Sequence, residues 1–136
     1  TVSDDLGVKK DVASFVVPVG ATINMDGTAI MQGLATMFIA STVGVELSLV
    51  QYGQIVLLAM VTSIGTAAVP SAGTVTLALI LGSVGLPLDA IGLILAVDRI
   101  LDMIRTSVNV CGDAAVSCIV AKSENELEEK TFNNLG

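Results

Sequence analysis

The longest uncharged stretch of this chain runs from Leu47 to Leu88 and contains no Asp, Glu, Lys, Arg or His. Charged residues make up only 14% of the 136 residues, and most of them lie near the two ends. Soluble domains carry about 25% charged residues, whereas a long apolar middle between polar ends is typical of membrane-embedded chains. The length allows one domain at most, so the composition predicts a single all-α integral membrane unit.

Several classes of function are disfavoured by the composition. The net charge of −7 and the lack of any Lys or Arg cluster argue against a nucleic-acid partner. Because the chain has no His, it has no His-based catalytic triad, metal site or proton relay, and we do not expect an enzyme. Cys111 and Cys118 are about 10 Å apart along one helix, too far for a disulfide, and we interpret them as packing residues.

A poor helix-forming sequence interrupts the first apolar region, residues 12–45. The sequence Asn24-Met25-Asp26-Gly27 separates two uncharged runs and introduces a charge between them. We predict one transmembrane helix over 12–45 that is broken at this joint. An unwound segment at membrane depth is tolerated only where it lines a cavity or is buried in protein, so the joint is a candidate binding site.

A helical hairpin is predicted over residues 48–86. Its two apolar arms, Ser48–Thr62 and Thr74–Leu86, are each roughly 20 Å long as helices, which is too short to cross a bilayer. The connection 63–73 is rich in Gly, Ser and Pro, which favours a non-helical tip. We interpret the segment as a re-entrant hairpin, and two complete crossings remain the alternative.

The third apolar region, residues 88–121, is predicted to form one long amphipathic transmembrane helix, and residues 122–136 a solvated tail. The turns near Glu46 and Asp89 carry no Lys or Arg, whereas both ends of the chain do: Lys9, Lys10, Lys122 and Lys130. By the positive-inside rule, we expect a multi-pass protein of the cell membrane with both of these ends in the cytoplasm. Because the chain starts at Thr1 without a signal-peptide pattern, we expect it to be a piece of a longer protein.

One face of this last helix collects polar residues within a sector of roughly 80°: Asp98, Asp102, Arg105, Asn109 and Asp113. An ionisable residue in a membrane helix costs at least about 2.5 kcal/mol and usually marks a substrate or ion path. Arg105 suits a carboxylate through two parallel hydrogen bonds, and Asp102 suits an ammonium, so the pair suits a zwitterion. The alternative is that Asp102 and Arg105 form a structural ion pair.

Two further carboxylates favour a cation site. Asp26 and Asp113 are hard oxygen donors, and the carbonyls of an unwound segment are oxygen donors of the same kind. Such ligands suit a small hard cation. Two Cys and no His make a zinc site unsuitable.

Three motifs together resemble the sodium-coupled glutamate/aspartate transporter family, also called the dicarboxylate/amino acid:cation symporters. They are the Asn24–Thr28 sequence, the Ser63–Thr66 tip with Pro70 and Gly73, and the sequence DMIRTSVNVCGD over residues 102–113. The resemblance extends over residues 10–122. It implies that residues 1–136 are the C-terminal part of the transport domain: the seventh helix, the second re-entrant hairpin and the eighth helix.

The resemblance implies a substrate site in which Asp102 holds the ammonium and Arg105 the side-chain carboxylate. It adds five further substrate contacts: Thr28, Val69, Gly73, Thr106 and Asn109. Since Arg at position 105 is typical of the members that carry acidic amino acids, glutamate or aspartate is the expected substrate.

The resemblance also implies three sodium positions. The first uses the Asp113 carboxylate with the carbonyls of Gly20, Asn24 and Asn109. The second uses the carbonyls of Thr22, Ser63, Ile64 and Thr66, and the third the side chains of Asn24 and Asp26.

The expected function is therefore secondary active symport of acidic amino acids with sodium, by an elevator-type mechanism with the hairpin tip as the gate. The family resemblance further implies a homotrimer in the lipid bilayer, assembled through scaffold helices outside this chain, and no organic cofactor. A proton-coupled dicarboxylate symporter, a neutral amino-acid symporter of the same family and a channel-like membrane module remain alternatives.

Overall fold

The structure, a computed structural model, describes residues 1–65 and 72–133, and within them regular secondary structure is helical apart from one isolated bridge. The elements in chain order are α1 (Lys10–Ile23), α2 (Asp26–Thr42), α3 (Leu49–Gly65), α4 (Ala72–Ser83), a 3₁₀ turn (Leu88–Ala90), α5 (Ile91–Leu95), α6 (Asp98–Ser123) and α7 (Glu129–Phe132). The prediction of an all-α chain is confirmed.

The outer surface of the described structure is unusually apolar. Many large apolar side chains are exposed, among them Leu49 at 87% and Met103 at 72%. Some polar side chains lie in the interior beside the apolar ones, since Gln32 and Ser117 are fully buried. Soluble proteins rarely expose apolar surface on this scale, so this exterior suits lipid or further protein segments.

Within the described residues, α6 is the one helix that is both long and apolar enough to cross a membrane. It has 26 residues, and its most apolar window has a mean hydropathy of 1.2. At 1.5 Å per residue this length exceeds the roughly 30 Å of a bilayer core. The segments Leu49–Gly65 and Gly73–Ser83 are apolar but shorter.

Helix α2 lies at the centre of the fold, where it packs against α3, α4, α5 and α6. Helix α1 packs mainly against α6. The apolar core forms between α2 and the two hairpin arms, and its buried members are Met31, Ala35, Ile39, Ala40, Ile55, Ala59, Leu77, Ile80, Leu81, Val84, Leu86 and Ile94. The core therefore anchors the hairpin to α2.

The hairpin arms begin and end on recognisable local signals. Ser48 and Gln51 form a capping box at the start of α3, with the Ser48 N–H donating to Gln51 Oε1 at 2.9 Å. After α4, Gly85 adopts a left-handed φ of +76° and the Leu86 N–H donates to the Leu81 carbonyl, which closes the helix end. The predicted tip partly falls at residues 66–71, outside the described residues, so the re-entrant arrangement stays a prediction.

The region predicted as one helix over 88–121 is divided in the structure. The 3₁₀ turn and α5 come first, and α6 starts only at Asp98, after Val97 with a ψ of 4°. A carboxylate in the first turn of a helix is stabilised by the helix dipole, so Asp98 favours a new helix start at this point. From the sequence, Asp98 was interpreted only as a member of the polar face. The predicted helix therefore begins at residue 88, ten residues before α6 begins.

Most described residues of the segment after α6 are exposed, and some of them also pair with the segment before α1. Val8 and Leu127 form an antiparallel bridge, and the Glu128 N–H donates to the Gly7 carbonyl at 2.8 Å. Lys9 also forms an ion pair with Glu126. The segments before α1 and after α6 therefore lie side by side.

The core assignment predicts losses of stability of different size for two leucines on α4. Leu77 is fully buried, so Leu77→Ala leaves a cavity and lowers the free energy of unfolding by about 2–5 kcal/mol. Leu79 is 64% exposed, and Leu79→Ala has a much smaller effect. Thermal unfolding of the full-length protein in detergent measures both, and an equal loss for the two variants contradicts the assignment.

Candidate functional site

The interruption between α1 and α2 consists of Asn24 and Met25, neither of which is helical. The Asn24 N–H still donates to the Gly20 carbonyl at 2.7 Å, and the Met25 carbonyl accepts from the N–H of Thr28. The last carbonyls of a helix lack intrahelical donors and carry a partial negative charge. The end of α1 is therefore suited to a cation.

The Asn109 side chain of α6 holds the start of α2. Its Oδ1 accepts a hydrogen bond from the Gly27 N–H at 2.8 Å, and its Nδ2 lies 3.4 Å from Thr28 Oγ1 and 3.5 Å from Met25 Sδ. A first-turn N–H has no partner within its own helix, so Asn109 supplies from α6 what a capping residue usually supplies locally. This contact fixes the interruption against α6.

Asp113 is the buried carboxylate of the site, with 8% of the residue exposed. Its Oδ1 accepts a hydrogen bond from Asn24 Nδ2 at 3.1 Å. The ion pairs found in the described part of the chain are Thr1–Asp5, Lys9–Glu126 and Arg105–Asp102, so Asp113 is paired there with an amide and not with a cation. A buried carboxylate without a positive partner is costly, and a bound cation would stabilise it.

Two glycines allow the interruption to approach α6 closely. A Cβ atom at Gly20 would lie 2.6 Å from Asp113 Oδ1, and one at Gly112 would lie 2.7 Å from Asn24 Nδ2. The same Cβ at Gly112 would lie 3.1 Å from the carboxylate of Asp26, whose residue is otherwise exposed. Asn24 and Asp26 therefore meet α6 where it has no side chain.

Arg105 lies one turn from Asn109 and forms an ion pair with Asp102, so the structural pair that the sequence left open is present. The Arg105 side chain is only 10% exposed, and that of Asp102 is 45% exposed. The guanidinium lies directly against Gly73 of α4, where any side chain would overlap it. Arg105 thus connects the polar face of α6 with the hairpin.

The described residues contain no cluster of three His, Cys, Asp or Glu side chains able to hold a metal ion. The oxygen donors near the interruption are instead single carboxylates, amides and main-chain carbonyls. A site of this composition suits hard cations.

Comparison with known proteins shows the family of the chain. The profile of the sodium:dicarboxylate symporter family matches residues 1–123. The chain belongs to this family. It is a family of symporters and not of enzymes, and the residues that form the site described above all lie within the match.

Among curated proteins of the family, the chain is similar to the excitatory amino acid transporters. It is 55% identical to those of Onchocerca volvulus and Caenorhabditis elegans over 117 residues, or 86% of the chain. It is 52% identical to excitatory amino acid transporter 2 of Mus musculus over 126 residues, or 92% of the chain. The match covers 24%, 23% and 22% of these relatives, so the chain spans about a quarter of their length.

The structure brings together much of the predicted substrate and sodium set. Eight of the predicted residues lie within this region, on α1, the interruption, α2, α4 and α6: Gly20, Asn24, Asp26, Thr28, Gly73, Arg105, Asn109 and Asp113. Asp102 joins them through its ion pair. The binding roles assigned to these residues stay predictions.

The remaining predicted residues are less closely associated with the region around the interruption. Thr22 and Ile64 are exposed, and the Thr22 hydroxyl donates to the Pro18 carbonyl at 3.1 Å. Ser63 is buried, but its hydroxyl donates to Met60 of its own helix at 2.9 Å. Thr106 is exposed and makes no side-chain hydrogen bond within residues 1–65 and 72–133. Thr66 and Val69 lie outside the described residues, so the second sodium position stays a prediction.

Two residues contribute to this region although no role was predicted for their side chains. The Met25 sulfur lies near Asn109 Nδ2 and is 3.5 Å from the Thr28 hydroxyl that donates to it. Gln32 is fully buried although it is polar. The available signal was that Gln32, whose amide is strongly polar, follows Thr28 by one turn in an uncharged run.

The close approach at Gly20 predicts that a single methyl group disrupts the site. Gly20→Ala drives the Asp113 carboxylate from its place beside Asn24 and lowers stability by about 1–3 kcal/mol. The matched control is Gly33→Ala on α2, which has open space around its Cβ position and should be neutral or stabilising. Thermal unfolding of the full-length protein tests the pair, and equal tolerance of both changes would show that Asp113 is not confined.

Proposed function

We propose that this chain is the C-terminal part of the transport domain of a symporter that takes up acidic amino acids together with sodium ions. The observation that carries this proposal is the buried carboxylate of Asp113, which faces a helix interruption and has an amide partner instead of a cation. In this proposal, sodium binds between the end of α1 and the polar face of α6.

The exposed apolar surface supports placement in a membrane. Both hairpin arms and α6 expose large apolar residues, while Asn109 and Asp113 of α6 face the interruption and the start of α2. Interruptions whose half-helix ends point at ions are a recurring feature of secondary transporters. The fold is thus consistent with a transport site near the middle of the membrane.

The charges of the site explain why an acidic substrate needs cations. Asp26, Asp102 and Asp113 contribute three negative charges and Arg105 one positive charge, which leaves a formal charge of −2. An acidic amino acid adds a further negative charge, and charges of equal sign repel strongly in surroundings of low dielectric constant. Sodium ions bound at Asp113 and Asp26 remove this repulsion, so cation and substrate binding are coupled.

The ion pair of Arg105 and Asp102 offers a matched place for the substrate itself. The ammonium of an amino acid replaces the guanidinium as the partner of Asp102, and its side-chain carboxylate replaces Asp102 as the partner of Arg105. This exchange leaves neither protein charge unpaired in a desolvated site. The relatives are named as transporters of excitatory amino acids, which agrees with an acidic substrate.

The hairpin supplies the gate in this proposal. Gly73 at the start of α4 lies against the Arg105 guanidinium, so a substrate bound at Arg105 is also next to the hairpin. Sodium and substrate couple when the hairpin closes stably only with both bound, because that difference in affinity shifts the equilibrium towards the closed state. The closed, loaded domain then moves across the membrane in an elevator-type step.

The topology and assembly belong to the same proposal. The bridge between Val8 and Leu127 brings the segments flanking α1 and α6 together, which supports their location on one side of the membrane. Lys9 and Lys122 lie close to these segments and favour the cytoplasmic side. Assembly into a homotrimer would use segments outside this chain.

Substitution of Arg105 tests the assigned substrate contact. In the full-length protein reconstituted in liposomes, Arg105→Cys should lower the apparent affinity for aspartate on the order of 100-fold, because a buried charged partner is lost. The control is Arg99→Cys, since Arg99 is exposed and lies off the polar face of α6. Unchanged aspartate affinity in Arg105→Cys contradicts the role given to Arg105.

Ion replacement tests the coupling in the same liposomes. We expect saturable uptake of radiolabelled aspartate that requires a sodium gradient and stops when choline replaces sodium. Uptake that continues unchanged in choline contradicts sodium coupling. Conductance without saturable uptake would indicate a channel instead.

A further inference from the structure

A buried polar cluster links α2 to both arms of the hairpin. Gln32 of α2 is fully buried, and its side-chain amide lies between Thr62 of α3 and Thr76 of α4. The Thr62 hydroxyl lies 3.0 Å from Gln32 Oε1 and 2.7 Å from the Leu58 carbonyl, so its one hydrogen is shared between these two acceptors, and Gln32 Nε2 donates to Thr76 Oγ1. We call these three residues the Gln32 cluster.

Both hydrogen bonds of the cluster are needed to pair the two ends of the Gln32 amide. An amide has a donor group and an acceptor group, and each threonine hydroxyl can take either role, so either orientation of the amide gives one bond to each arm. An amide that is buried without partners is costly. Movement of either arm away from α2 therefore leaves one end of the Gln32 amide without its hydrogen-bond partner.

On both α2 and α4, the cluster lies one helical turn from a residue of the candidate site. Gln32 follows Thr28 on α2 by four residues, and Thr76 follows Gly73 on α4 by three. The Thr76 hydroxyl also contacts the Gly73 carbonyl at 3.1 Å, and Gly73 packs against Arg105. A shift of Thr76 is thus transmitted directly to the residue beside the guanidinium.

We propose that Gln32 is a positioning residue that holds both hairpin arms in register with α2 and so sets the affinity of the site for its substrate. This inference rests on the proposed transport function and adds to it the residue that fixes the base of the gate. Gln32 itself does not touch the substrate.

Three substitutions in the full-length transporter test this role. Gln32→Leu removes the amide at similar size. Thr76→Val removes one hydroxyl at unchanged shape, whereas Thr76→Ser keeps that hydroxyl. The matched control is Thr36→Val, because Thr36 is also fully buried on α2 but its hydroxyl donates only to the Gln32 main-chain carbonyl.

The first readout is hydrogen–deuterium exchange of α3 and α4 in protein without substrate. We expect faster exchange in both arms for Gln32→Leu and Thr76→Val, and exchange close to wild type for Thr76→Ser and Thr36→Val. Because this readout needs no ligand, it tests the anchoring even if the proposed transport function is wrong. Equal exchange in Thr76→Val and Thr36→Val overturns the proposal.

The second readout is the dissociation constant for aspartate at saturating sodium. Loss of one net hydrogen bond corresponds to a factor of roughly 3 to 10, so we expect an increase of that size in Thr76→Val and an increase of at least that size in Gln32→Leu, which loses two bonds. Thr76→Ser should recover the wild-type value. If wild type binds aspartate but these variants bind it equally well, the positioning role is wrong and the transport function stands. If wild type binds no aspartate, the transport function is wrong.

Discussion

The contact between the α1–α2 interruption and the polar face of α6 is the constraint from which the rest of the arrangement follows. A chain interrupted among apolar surroundings exposes main-chain groups that need partners. Asn109 accepts from the Gly27 N–H, and Asn24 donates to Asp113. These bonds hold α1, α2 and α6 together, and the absence of a side chain at Gly20 makes the close approach feasible. The same contact produces a buried carboxylate and helix-end carbonyls, which is the composition of a cation site.

Helix α2 transmits this arrangement to the hairpin. Its first turn forms the site, its middle carries Gln32, and its apolar residues pack against α3 and α4. Arg105 is the second connection, because its guanidinium lies between Asp102 and Gly73. In the proposed function, ion binding at the interruption and substrate binding at Arg105 act on the same helices, which provides a physical route for coupling between them.

Local sequence patterns predicted the parts of this structure that depend on local chemistry. The poor helix formers around Asn24 anticipated the interruption, and helical spacing anticipated that Arg105, Asn109 and Asp113 share a face. Features that depend on distant partners were missed. The pairing of Val8 with Leu127 and the two partners of Gln32 join residues far apart in the chain, and no local pattern marks them. The start of α6 at Asp98 was missed because a carboxylate serves equally as a helix-start signal and as part of a polar face.

The central claim is that an acidic amino acid binds this site only when sodium neutralises the carboxylates of the site. The most direct measurement is isothermal titration of the full-length transporter with aspartate, in sodium chloride and in choline chloride at equal ionic strength. The account predicts saturable binding in sodium and no measurable binding heat in choline. Equal affinity for aspartate in the two salts would contradict it.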